Sequence, residues 1–409
     1  MPGYATHYPT AKEPTLYGNC GESLFERLLQ YEHQQNDLSA EPTAFRDALQ
    51  RAAELAREKR QKLAGAAARL HLATLDQKAG KLLAAGKQYA HLLEELHPTD
   101  CVLLYLQLLN HYSAWAVYSG EVALARWLLK SALNMLEQPL DEATAQLRQP
   151  YLFRNHLNLA TLQVLSNQGK EAALHYRRAM GGIANQQTAL LAGMAFLVFL
   201  DNYGFDKVST QLLETLSKNA TVIQPYQPEI LRWQAQMAMR SNDLPRAAMK
   251  ISKARSLQLS ISPRLGEGQL LLTLGLYNLE AGQPAEAQAC LEEALDFARR
   301  RGSVYNQLGC ALALADALLR QNKLLETDQY LSLAARYLQK FSHHPMQIKY
   351  HRLRLEYLRR NGGGTTRSIA QQLQALLNEE AAVTRELNGH SAQQDIHWIV
   401  SRVRQLGEA

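Results

Sequence analysis

The sequence predicts an all-α fold, an α-solenoid of stacked antiparallel helix pairs, from three observations. Period-two runs of β-branched residues are missing, so strand signals are almost absent. Strong helix formers dominate segments of about 12–18 residues, whose apolar residues recur at spacings of three and four. Short breakers separate these segments, and several of them recur at a nearly constant interval. Together the three observations predict one helical hairpin after another along the chain.

The breakers are short runs that contain Gly or Asn. They are Ala85-Gly86, Ser119-Gly120, Asn167-Gln168-Gly169, Tyr203-Gly204, Ser241-Asn242, Ala281-Gly282, Gln321-Asn322 and Asn361-Gly362. Among them Asn242, Gly282, Asn322 and Asn361 lie 40, 40 and 39 residues apart. A fixed period of this length favours a repeat array over the alternative, a generic helical bundle.

The clearest repeat begins at Leu271 and reads LLTLGLYNLEAGQPAEAQACLEEALDFA. Gly275 allows the first helix to approach the second closely, Gly282 supplies the turn, and Ala287 marks the close crossing in the second helix. Equivalent small and apolar residues recur in and around the neighbouring second helices. They are Leu291 and Ala294; Ala247, Ile251 and Ala254; Leu331 and Ala334; and, earlier, Ala125, Leu129 and Ala132.

This pattern resembles the tetratricopeptide repeat superfamily. The repeat from Leu271 keeps the Leu-Gly pair, the turn Gly and the Ala of the second helix, but it places Tyr277 one position before the usual aromatic. The period near 40 is similar to the longer repeats of MalT-type regulators and kinesin light chains. The resemblance covers roughly Ala66 to Ala382 and implies a superhelix that binds proteins, whereas the Lys/Asn clamp of chaperone-associated members is not reproduced.

The repeats define the expected domain organisation. We expect a disordered N-terminal arm over residues 1–19 and N-terminal capping helices over 20–65. The repeat array then spans 66–361, and residues 362–409 complete the last hairpin and add a capping helix. The apolar stripe of that last helix, from Ile396 to Leu406, leaves open whether it covers the end of the array or binds a partner.

Composition and charge narrow the class of protein. Hydrophobic residues make up 46% and charged residues 20%, which is enough to build a core. No apolar run reaches the ~18–20 residues of a membrane span. The net charge is +6, and residues 243–367 carry 18 Lys or Arg against 11 Asp or Glu. This basic half could face an acidic protein, nucleic acid or only solvent, and the solvated face is favoured because no aromatic platform accompanies the charge.

Chemical motifs are mostly absent, and the sequence therefore predicts a protein without enzymatic activity or cofactor. Phosphate-binding loops, dinucleotide fingerprints and the common hydrolase signatures are not found. His343, His344 and His351 are interpreted as surface histidines in a basic run rather than as a metal site. Cys20 precedes a helix without an identifiable partner histidine. The four cysteines form no close pair, which favours reduced thiols and a cytoplasmic location.

The first helices of the hairpins are expected to line a concave groove that binds an extended peptide or a partner helix. Their candidate groove side chains are amides, which pair with a peptide backbone, and charged or imidazole groups. They are Asn110, Arg154, Asn158, Asn202, Arg232, Gln236, Gln269, Asp316, Arg320, His351 and Arg359. The first hypothesis is an adaptor or scaffold subunit that holds protein partners in a complex. The second is a ligand- or peptide-responsive sensor that controls transcription or secretion, and nucleic acid is the less favoured partner.

Overall fold

The computed structural model describes residues 42–79, 81–138, 148–182, 186–218, 226–260, 267–362 and 366–408. These residues form eighteen α-helices and no strand, which confirms the predicted all-α class. In chain order the helices are α1 Pro42–Glu58, α2 Lys62–Lys78, α3 Leu82–Glu95, α4 Val102–Ser119, α5 Val122–Glu137, α6 Arg148–Leu165, α7 Gly169–Gly181, α8 Gln186–Asn202, α9 Asp206–Lys218, α10 Gln227–Arg240, α11 Leu244–Ser260, α12 Glu267–Glu280, α13 Pro284–Arg300, α14 Val304–Arg320, α15 Leu324–Leu338, α16 His344–Arg360, α17 Thr366–Leu387 and α18 His390–Glu408. The predicted arm over 1–19 and Cys20 lie outside the described residues.

The described residues divide into two compact units. The N-terminal unit contains the chain up to Asn158 together with Arg300–Gly302, and the C-terminal unit contains Leu159–Arg299 and the chain from Ser303 onward. The boundaries that the sequence predicts for the capping helices and the array remain predictions. None of the described helices combines the length and hydropathy that crossing a membrane requires.

The N-terminal unit is a run of sequential helix contacts. Each of α1 to α4 packs on the helix that follows it, and α2 also contacts α4. Leu49 of α1 is fully buried against Ala68 and Leu72 of α2. Gly120 ends α4 in the left-handed conformation with φ 75°, so the predicted turn at this position is confirmed.

Gly86 does not mark a turn, and its interpretation as a breaker is wrong. It lies inside α3, where a Cβ atom would come within 2.3 Å of Cζ2 of Trp115. The indole Nε1 of Trp115 donates to the carbonyl of Leu82 at 2.8 Å. A glycine at this position therefore makes room for an aromatic ring, and the helix continues through it because a single Gly costs only about 1 kcal/mol.

The turns of the C-terminal unit recur at a constant interval along the chain. Asn242, Gly282, Asn322 and Gly362 adopt positive φ angles of 57°, 73°, 59° and 67° at successive turns. Only Gly and, less readily, Asn adopt this conformation at low cost, which explains the residue types. Asn361 has φ −83°, so the predicted assignment of the last turn to Asn361 is wrong by one residue.

The close crossing predicted within each hairpin is confirmed at Gly275. A Cβ atom there would lie 2.5 Å from both Cγ and Cδ2 of Leu291, which means that α12 and α13 approach across a bare backbone. Leu291 is fully buried in a cluster that includes Leu279 of α12 and Cys310 of α14. Ala287 is fully buried as well, and each hairpin thus packs on its neighbour through small residues.

The last two helices, α17 and α18, pack against helices near the beginning of the C-terminal unit. Besides packing on α16, α17 contacts α7, and α18 packs on α7, α8 and α9. The apolar stripe of α18 is buried there, with Ile396 and Ile399 fully covered. Its predicted role as a cap over the end of the array remains a prediction, since the surface it covers belongs to α7–α9.

Candidate partner-binding surface

The first helices of successive repeats form a continuous layer in the C-terminal unit. Helix α10 contacts α12, α12 contacts α14, and α14 contacts α16. We call the exposed side of this layer the inner wall. Because the turn residues recur at a constant interval, side chains one or more whole periods apart on these helices occupy the same position of the repeat and share a face.

Lys349 is a charged residue of the inner wall whose pKa is shifted by burial. Burial lowers the pKa of its ammonium group, while Asp316 and Glu280 oppose that shift and Arg320 adds to it. No described carboxylate lies within ion-pair distance of Lys349. Since the charges that act on it belong to α12 and α14, Lys349 of α16 faces along the layer of first helices rather than toward the second helices.

Asp316 and Arg320, two of the predicted groove residues, are engaged with each other. Arg320 Nε donates to Asp316 Oδ1 at 2.9 Å, and its Nη1 donates to the carbonyl of Leu279 at 2.8 Å. One repeat later, Arg360 donates to the carbonyl of Leu319 at 2.6 Å. These arginines add a second donor to carbonyls at the C-terminal end of the preceding first helix, which already accept from the amides of Gly282 and Asn322, and this is a structural role.

Gln236 and His351 contribute polar atoms without partners. Gln236 occupies the same repeat position as Asp316, and its Oε1 is buried without a hydrogen bond among the described residues. The Nδ1 atom of His351 is also buried without a hydrogen bond among the described residues, but His351 occupies the repeat position of the buried Leu231 and Ala311 and lies on the opposite face of α16 from Lys349. Burial and the nearby Arg354 lower the pKa of His351, so this imidazole is neutral at pH 7 and can accept a hydrogen bond.

The guanidinium group of Arg232 is buried and already paired with a carboxylate. Its Nε donates to Glu229 Oε2 at 2.8 Å, and its guanidinium lies 4.5 Å from the ring centroid of Trp233. Breaking such a pair would leave an uncompensated buried charge, so Arg232 is poorly suited to exchange partners with a ligand.

A second charged cluster lies where α8 ends. Arg240 of α10 pairs with Asp201 and, at 2.7 Å, with Asp206. Burial raises the pKa of Asp201, and Arg240 and Arg232 partly offset that effect. Burial also raises the pKa of Tyr305 on α14, and the charge of Asp201 raises it further.

The remaining predicted groove residues are not brought together. Asn202 donates to the carbonyl of Val198 at 2.9 Å, the half-buried Gln269 accepts at its own carbonyl from Thr273, and Arg359 is exposed beside Glu356. Three others belong to the N-terminal unit. Asn110 is buried with an unpaired Oδ1, Arg154 lies over the ring of Tyr151, and Asn158 is half-buried.

The interpretation of His343, His344 and His351 as surface residues is wrong. His343 is 1% exposed, and the other two are half-buried. His343 precedes Pro345 at the start of α16 and packs edge-on against Tyr305 at 5.5 Å between ring centroids. Among the described residues no group of three or more His, Cys, Asp or Glu is arranged to hold a metal ion.

Lys349, Glu229 and Asp201 are the charged residues of this region that sequence reasoning missed. Glu229, Gln269, Gly309 and Lys349 occupy the same position of four successive first helices, so aligning the repeats on Gly362 would have grouped them with Gln269. The involvement of Asp201 has no comparable sequence signal, because it depends on how α8 is placed against α10.

No protein-family profile and no curated protein sequence matches the chain. Solved structures do match. A Rap protein complexed with competence and sporulation factor aligns over 84% of this chain and 99% of its own, with a TM-score of 0.50 and 11% identity. The TPR domain of P58(IPK) aligns over 84% of this chain and 96% of its own, with a TM-score of 0.28 and 14% identity. With the repeat geometry above, the likeness to the Rap structure shows that the chain has the fold of a tetratricopeptide-like α-solenoid.

Proposed function

We propose that the protein is a non-enzymatic adaptor or scaffold that binds a protein partner, as an extended peptide or a helix, on the inner wall of the C-terminal unit. The observation that carries the proposal is a pair of polar groups on first helices: the Oε1 atom of Gln236, which is buried without a hydrogen bond among the described residues, and the ammonium group of Lys349, which is half-buried and has no ion-pair partner among them. Buried polar groups without partners are costly, and a ligand that pairs with them recovers this free energy.

The chemistry of these groups suits a peptide. An amide oxygen accepts from a backbone N–H, and an ammonium pairs with a carboxylate or a carbonyl. An acidic partner would also be attracted by the basic surplus between residues 243 and 367. A cytoplasmic location and membership in a larger complex are parts of the same proposal.

The test is partner capture with matched variants. Full-length protein, Gln236→Leu/Lys349→Met and the control Lys253→Met, which changes an exposed residue of α11, would each be used to recover proteins from native lysate. We expect specific partners to be recovered by wild type and the control and to be lost at least about tenfold with the double variant, a loss of about 1.4 kcal/mol. Equal recovery by the double variant would place the partner elsewhere and refute the proposed surface.

One observation favours the second candidate, a ligand-responsive sensor. The Rap protein, which shares the fold, is described as complexed with competence and sporulation factor. A sensor would be stabilised by its ligand in the absence of any protein partner. A thermal-shift screen of peptides and small metabolites would therefore support the sensor if one of them raises Tm in wild type but not in Gln236→Leu/Lys349→Met.

A further inference from the structure

The helices of the C-terminal unit form a closed circuit. Contacts run from α7 through α8, α9, α10, α12, α14 and α16 to α17, and α17 contacts α7 again. An open solenoid could accept a partner from the side, whereas a closed circuit admits one only through its ends. A partner larger than an extended peptide therefore requires the circuit to open somewhere.

The contact between α7 and α17, which we call the seam, closes this circuit. It depends on Gly169, the first residue of α7. A Cβ atom on Gly169 would lie 2.8 Å from Cδ1 of Leu387, 3.0 Å from Cζ of Tyr203 and 3.2 Å from Cγ1 of Val383. The seam is thus closely packed, and an additional methyl group on Gly169 would require Leu387 to move.

His344 adds a polar bridge across the seam. Its Nδ1 lies 2.6 Å from Nδ2 of Asn167, in the turn before α7, and its Nε2 lies 3.1 Å from Oε2 of Glu379 on α17. The amide nitrogen of Asn167 is a donor, so Nδ1 must accept and Nε2 must carry the proton that Glu379 accepts. This arrangement satisfies the neutral imidazole on both sides. A proton on Nδ1 would remove this acceptor, and the Asn167 amide would have to rotate so that its Oδ1 faces the ring.

The next helix provides a fixed support for α17. Helix α18 stays against α7, α8 and α9 through its buried apolar stripe and the ion pair between Arg177 and Asp395. Only Asn388 and Gly389 separate it from α17. A Cβ atom on Gly389 would lie 3.0 Å from the carbonyl oxygen of Glu386, so the turn between the two helices is tight.

We propose that the seam is a gate to the inner wall, and that a proton on His344 opens it by separating α17 from α7. The inference rests on the proposed function only in what the gate admits, namely the partner of the inner wall. Its own mechanism depends on the contacts of His344 and Gly169.

The charges around His344 set the sign of the pH effect. Burial disfavours the protonated form of His344, whereas Glu379 and Glu380 of α17 favour it. Asn167 is uncharged, and the neighbouring His343 faces Tyr305 of α14. Burial is the largest of these effects, so the pKa of His344 lies below its ordinary value. The closed seam is therefore fully favoured above the ordinary pKa of about 6.5 and loses stability as the pH falls below it.

The gate can be tested without any ligand. Nitroxide labels attached through p-acetylphenylalanine at the exposed positions Lys170 of α7 and Gln371 of α17 would report the distance across the seam by pulsed electron resonance. From pH 7.5 to 5.5 we expect the population at longer distance to rise by up to about tenfold in wild type. His344→Gln, which cannot titrate, should show no such rise. An identical response in both proteins, or none in wild type, would refute the gate.

A steric variant gives a second, pH-independent test. Gly169→Ala should increase the longer-distance population at pH 7.5, whereas Gly181→Ala, at the other end of α7 with nothing within 4 Å of its new Cβ, should leave it unchanged. The same distances in both variants would also overturn the proposal.

Failure of the gate and failure of the proposed function are distinguishable. Loss of partner capture by Gln236→Leu/Lys349→Met with no pH-dependent distance change would leave the function and remove the gate. A pH-dependent distance change across the seam in a protein that recovers no partner would leave the gate and remove the proposed function.

Discussion

At the scale of single residues, glycines on the first helices differ in what lies opposite them. Gly275 faces the branch point of Leu291, a fully buried side chain that cannot move aside. Gly309, on the next first helix, has Leu272 and Met346 as its nearest neighbours, 3.5 and 3.7 Å from an added Cβ atom. These are ordinary contact distances. The two positions therefore separate the packing requirement from the intrinsic cost of glycine in a helix.

Substitution of these glycines by alanine should have opposite effects on stability. Gly275→Ala forces a methyl group against Leu291 and should lower the free energy of unfolding by about 1–3 kcal/mol. Gly309→Ala should raise it by about 0.5–1 kcal/mol, because alanine favours the helix. Urea titration followed by circular dichroism measures both. Equal effects of the two substitutions would mean that the close approach at Gly275 does not limit stability.

At the scale of elements, the residue types at the turns can be predicted from the sequence. The exact residue of the last turn and the role of Gly86 cannot. Asn242, Gly282 and Asn322 could be recognised because left-handed turns select Gly and Asn. At the last turn, Asn361 and Gly362 are both suitable, and only the backbone angles distinguish them. Gly86 was misread because sequence does not show whether a glycine bends the backbone or admits a distant ring.

The left-handed turns provide an element-scale prediction at Asn322. Asn322→Gly should leave stability within about 0.5 kcal/mol of wild type, because glycine adopts φ 59° without strain. Asn322→Ala should cost about 1 kcal/mol, since a Cβ atom without a polar group pays the full left-handed penalty. Thermal unfolding of the two variants measures the difference. The repeat register would be contradicted if alanine were tolerated as well as glycine.

At the scale of the whole molecule, the predicted groove remains a prediction, and the structure shows which of its residues are already paired. Groove residues are predicted by residue type on first helices, and two of them, Gln236 and His351, have a buried polar atom without a hydrogen bond among the described residues. Type alone could not show that Arg232 is already paired with Glu229 or that Arg320 binds a backbone carbonyl. The first of these contacts joins two side chains, and the second joins a side chain to the backbone of another helix. The return of α17 and α18 to α7 likewise has no signal in the repeat period.

The burial of His343 links the folding of the whole chain to pH. Both ring nitrogens lack hydrogen-bond partners among the described residues, and burial with the nearby His344 lowers the pKa of His343 to about 4. The unfolded chain binds this proton near pH 6.5, so stability is full above that pH, falls as the pH drops from about 6.5 to about 4, and then levels off. At pH 5 the expected loss from this residue is about 2 kcal/mol.

His343→Leu should remove that part of the pH dependence, because leucine fills the apolar site and does not titrate. Urea titration at pH 7.5 and 5.0 gives the free energy of unfolding at each pH. On acidification the value for the variant should fall by about 2 kcal/mol less than that for wild type. The exposed His390 offers a matched control, and His390→Asn should retain the wild-type difference between the two pH values. If His343→Leu lost as much stability on acidification as wild type, the proton that destabilises the fold would have to bind elsewhere, with His344 at the seam the next residue to test by the same substitution and measurement.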